Sequence, residues 1–139
     1  MRLFLCLSLI CLLLSACAKG YKDKEGKPLS AEDLQLAQKA TGLLKKAEEL
    51  AENASPIPGN SWNQFIENVK LFENSCQRTG CNSLEARNDF NHLRYHAVQL
   101  DSVITEQAFP DIYPAWKSIR TEMIDPIGKE LGYRISDTK

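Results

Sequence analysis

Asn82–Ile104, NSLEARNDFNHLRYHAVQLDSVI, is the stretch whose pattern decides the fold. Ala86, Phe90, Leu93, Ala97, Leu100 and Ile104 recur in it at alternating spacings of four and three. That spacing lays a single apolar seam along an α-helix and cannot be satisfied by a strand, whose period is two. At its start Asn82 and Glu85 stand three apart, the arrangement in which side chains cap one another's backbone donors. The pattern therefore predicts a helix that buries one stripe against neighbours.

The same alternation appears on both sides of this stretch. Upstream, Ser30 and Asp33 resemble an N-terminal cap before Leu36, Ala40, Leu43, Ala47, Leu50 and Ala54. Trp62, Phe65, Ile66, Val69, Phe72 and Cys76 make a second seam, and Ile112, Trp116, Ile119, Met123 and Ile127 a fourth downstream of Asn82–Ile104. Ser55-Pro56-Ile57-Pro58-Gly59-Asn60, Arg78-Thr79-Gly80 and Phe109-Pro110-Asp111 separate the segments. Prolines fix φ and remove donors there, and Gly80 can supply a left-handed C-cap. Asp125-Pro126 predicts an interruption of the last helix, with Asp125 as N-cap and Pro126 opening a short final turn that ends at Gly132. Gly42 sits inside the first helix, where it costs about 1 kcal/mol relative to Ala whether or not it serves a close approach. Four amphipathic helices on short loops alternate in direction. The expected fold is all-α, an up-down-up-down antiparallel four-helix bundle over residues 30–139.

The N-terminal part reads differently. Arg2 precedes an apolar run from Leu3 to Leu14, too short to span a bilayer as a helix, which takes roughly 20 residues. The run ends in Leu14-Ser15-Ala16-Cys17. This stretch resembles the lipobox of bacterial lipoproteins: aliphatic, small, small, cysteine. The resemblance implies that residues 1–16 are a signal peptide removed before Cys17, and that Cys17 carries covalent lipid and anchors the chain to a membrane. Ala18 after the cysteine favours the outer membrane, facing the periplasm, in a Gram-negative cell; in a Gram-positive one the anchor sits on the outer face of the plasma membrane. Residues 17–29, with Lys19, Lys22, Lys24 and Lys27 against Asp23 and Glu25, read as the lipidated cysteine and a flexible tether with a reach of about 20 Å.

Cysteine usage agrees with export. Cys6 and Cys11 leave with the signal, and Cys17 is acylated. Cys76 and Cys81 remain as one pair in an oxidising compartment, so a disulfide is expected between the second and third helices. Closing so short a loop contributes about 2 kcal/mol.

The candidate sites are few. Cys76, Cys81, His92 and His96 superficially match zinc-finger spacing, but a continuous helix puts His92 about 16 Å from Cys81, too far for one metal. Glu85, Asp89, His92 and His96 fall instead on a stripe about 60° wide, about 90° from the apolar seam. A histidine pair one turn apart with a carboxylate beside it can bind Zn²⁺ or Cu²⁺; a solvated flank is the plainer reading. Phe109, Tyr113 and Trp116 can line a ligand pocket or, more commonly, plug one end of the core. No haem attachment motif, no Gly-rich phosphate loop and no recognisable Ser-His-Asp arrangement occurs, so the chain is read as not an enzyme, with no cofactor beyond the lipid on Cys17. With 17 Lys and Arg against 18 Asp and Glu, it lacks the electrostatic footprint of a nucleic-acid binder. The expected role is a membrane-anchored interaction module whose partner is another envelope protein. The alternatives are an envelope metal-binding protein using the stripe and a small-ligand carrier.

Overall fold

A computed structural model describes residues 28–53, 57 and 60–133. The expected signal peptide, Cys17 and nearly all of the expected tether lie outside these residues. Among the described residues the fold is all-α, without strands: α1 (Ala31–Asn53), α2 (Asn60–Thr79), α3 (Leu84–Val103), then a fourth rod. The rod is α4 (Tyr113–Ser118), a π-helical segment (Ile119–Ile124) and α5 (Asp125–Glu130). No described helix is long and apolar enough to cross a membrane.

Several helix ends have a visible local cause. Ser30 Oγ accepts from the Asp33 backbone N–H at 3.1 Å, which satisfies one of the orphan donors at the start of α1. At α3 the cap is Ser83, whose Oγ accepts from Ala86 N–H at 3.1 Å. The box expected from Asn82 and Glu85 does not form. Asn82 instead accepts from Arg87 at 3.2 Å and donates to Asp33 at 3.4 Å, which ties the α2–α3 turn to α1. Gly80 closes α2 with φ of +82°, and its N–H reaches the Cys76 carbonyl at 3.0 Å. Gly132, at φ +89°, ends α5 in a Schellman turn, with Tyr133 N–H on the Gly128 carbonyl and Gly132 N–H on that of Lys129.

The fourth rod corrects one expectation. Asp125 is not a cap: its backbone is helical and its N–H bonds the Arg120 carbonyl five residues back. The rod continues through Pro126. In a regular α-helix the proline ring would run into the carbonyl four residues earlier. A π turn carries one extra residue and widens the ladder ahead of the ring, so the helix is deformed instead of broken.

The seams meet in one core. Leu43, Phe65, Phe72, Phe90, Leu93 and Leu100 are fully buried, each contributing roughly 2 kcal/mol by leaving water. The Phe72 and Phe90 rings lie 5.2 Å apart near one end of the core, and Phe90 also meets Tyr133 at 5.4 Å. At the other end Trp116 stands edge-on to Phe65 at 5.3 Å and to Trp62 at 6.2 Å. Leu29, the residue just before the Ser30 cap, packs against the core. α1 is joined to α2 by Thr41 donating to Glu73 at 3.2 Å and to α5 by a Lys39–Glu130 ion pair.

Candidate functional site

The histidine stripe lies along the line where α3 meets α2. In an antiparallel pair, residues about 90° from the apolar seam face the flank of the neighbouring helix. Glu85 accordingly pairs with Arg78, and Asp89 accepts from Ser75, which is itself buried. Further along the same line Ser61 donates to Gln99 at 3.3 Å. His96 Nδ1 is 3.4 Å from Gln99 Oε1, and its ring stands edge-on to Tyr95 at 5.2 Å. His92 is exposed. Glu85 and Asp89 are thus turned to partners on α2. Among the described residues, no group of three or more His, Cys, Asp and Glu side chains is placed to hold a metal ion.

Cys76 and Cys81 are joined in a disulfide with their Cα atoms 4.2 Å apart, and both are buried. The bond closes the turn between α2 and α3. Gly80 within it has a second constraint besides its positive φ, since a Cβ there would stand 3.3 Å from the Asp33 carboxylate.

The aromatic end of the bundle holds a charged cluster that periodicity did not reveal. Trp116 is 1 % exposed and its Nε1–H donates to Asp101 Oδ1 at 2.9 Å. Arg120, one turn later, is buried and grips the same carboxylate with Nε and Nη2 at 3.0 Å. Its Nη1 stands 3.6 Å from Asp125 and makes no hydrogen bond. Such a planar two-donor grip on a carboxylate is the strong form of the Arg–Asp pair. Trp116, Arg120 and Ile127 fall at spacings of four and seven, so Arg120 occupies a seam position that an apolar pattern search passes over. An open cleft of about 280 Å³ borders this cluster, lined also by Ile104, Tyr113 and Lys117. Phe109 packs partly buried against the core. Of the three aromatics singled out at this end, Trp116 plugs the core and Tyr113 stands at the cleft.

On the opposite side of α4 runs a second, more apolar groove of about 390 Å³ between the C-terminal half of α1 and the fourth rod. Leu50, Ile112, Ala115, Ile119 and Met123 form its walls, and Lys46, Glu49, Asp111 and Glu122 stand at it as the charged residues. Sequence reasoning missed this groove because it arises from the placement of the rod against α1. Comparison of the chain with family models, curated proteins and solved structures gives no match.

Proposed function

We propose that this chain is a bacterial lipoprotein, anchored through acylated Cys17, whose helical bundle serves as an interaction module for another envelope protein. The observation that carries the reading is the Cys76–Cys81 bond, which, taken with Leu14-Ser15-Ala16-Cys17, fits an exported chain. Disulfides persist in oxidising compartments, the compartments to which a lipoprotein signal leads. Lipid attachment confines the bundle to a membrane surface and raises its effective concentration toward any neighbour there, so modest affinity suffices. Outward-facing contact residues are available: Leu84 and Tyr95 lie within about 20° of one another on the face of α3 opposite its seam, and both are exposed. The metal reading has no comparable support, since Glu85 and Asp89 are engaged by Arg78 and Ser75.

Photocrosslinking in the intact envelope tests the reading, with the crosslinker placed at Leu84 or Tyr95 and, as control, at Lys45 on α1. The expected result is a discrete envelope-protein adduct from α3 that is lost in the Cys17→Ser chain. No adduct from α3, or the same adducts at all three positions and without the anchor, contradicts it.

A further inference from the structure

We propose that the groove between α1 and the fourth rod is a binding site for a small cationic amphiphile, an apolar chain or ring carrying an ammonium group. Four observations point the same way, and none depends on the interaction role. The first is size: about 390 Å³ lies within the range of natural small-ligand pockets, which are mostly apolar with a few polar groups to orient the ligand. The second is where the core remains open. Five core residues keep more than 2 % of their surface exposed: Ile57 and Trp62, outside the groove lining, at 9 and 8 %, and Ile112, Leu50 and Ile119, all in this groove, at 7, 6 and 4 %. An apolar occupant would remove that remaining surface from water.

The third observation is charge. Three carboxylates, Glu49, Asp111 and Glu122, stand at the groove with one ammonium, Lys46, which lies 3.3 Å from Glu49. The excess negative charge selects a cation over an anion of the same shape. Ser118 donates to Glu122 at 2.7 Å and holds that carboxylate at the groove. The fourth is the backbone. Ile119, Glu122 and Met123 belong to the π-helical segment, a distortion found frequently at functional sites. It leaves Met123 only partly buried, and the thioether can adapt to differing ligand shapes.

Met123 also provides the reporter, because the chain has only one other methionine, Met1. The full chain, labelled with ¹³C at the methionine methyls, is titrated with octylammonium, octanol and octanoate, which share a chain and differ in charge. The expected result is a saturable shift of the Met123 methyl, with octylammonium bound about fivefold or more tighter than octanol and octanoate the weakest. Asp111→Asn with Glu122→Gln should erase the advantage of the amine and leave octanol binding as it was. Ala115→Trp, which fills the groove from an exposed position, should abolish all three responses. A Met123 methyl unmoved at millimolar probe, octanoate equal to octylammonium, or an amine preference surviving the double substitution would each overturn the proposal.

Discussion

Gly42 and Gly80 look alike in the sequence and differ in what surrounds them. Around Gly42 nothing lies within 4 Å of where a Cβ would stand, and its φ is not positive, so the glycine only adds freedom to the unfolded chain. Gly42→Ala should therefore stabilise the bundle by about 0.5–1 kcal/mol, read as a higher melting temperature. Gly80→Ala should do the reverse and cost about 1–2 kcal/mol, since a side chain is strained at φ +82° and is also crowded by Asp33. The Arg120 cluster gives a second asymmetry. Asp101→Ala leaves a buried guanidinium without its main partner and should cost about 1.5–3 kcal/mol by chemical denaturation. Arg120→Met removes the buried charge itself and should cost less than Asp101→Ala, although Asp101 then loses its grip on one neighbour. Equal losses for the two variants would show that burial of this charge does not govern the site.

At the scale of the element, the sequence is most readable where helices are regular. Ala86, Phe90, Leu93, Ala97, Leu100 and Ile104 are all buried as their spacing requires, and so are Leu36, Ala40, Leu43, Ala47 and Leu50 of α1 and Trp62, Phe65, Val69, Phe72 and Cys76 of α2, with Ile66 partly buried beside them and Ala54 outside the described residues. In the fourth rod Ile112, Trp116, Ile119 and Ile127 are buried as expected, and the rule misses at one position. The pattern places Met123 in the seam, but Ile124 is the residue fully buried, because the extra residue of the π turn shifts the phase at this point. No pattern based on 3.6 residues per turn contains that shift, although Pro126 marks the place that needs it. The stripe from Glu85 to His96 was legible as a face, yet its meaning depended on α2, which presents Arg78 and Ser75 to it. Cap choice was a matter of one position, Ser83 in place of Asn82. The disulfide, by contrast, needed only cysteine arithmetic. It closes a short loop between helices that already pack, so reduction should leave the bundle folded and lower its stability by about 2 kcal/mol or less. Alkylation should miss Cys76 and Cys81 in the denatured, non-reduced protein and label both after reduction. Free thiols at these two positions before reduction would contradict the bond.

At the scale of the molecule, the chain combines a signal that resembles a lipobox with a bundle whose core closes among the residues that follow the tether. Among the described residues, every buried core residue falls from Leu36 to Leu131. Two or more acyl chains bury enough methylenes, at about 0.8 kcal/mol each, to make attachment effectively permanent. In the proposed reading that property rests on the sulfur atom of Cys17. The most direct test is incorporation of radiolabelled palmitate, with membrane fractionation, for the native chain and for Cys17→Ser. The account predicts a labelled, membrane-bound native protein and an unlabelled variant that is not processed as a lipoprotein. Equal labelling and unchanged membrane attachment in the variant would contradict it.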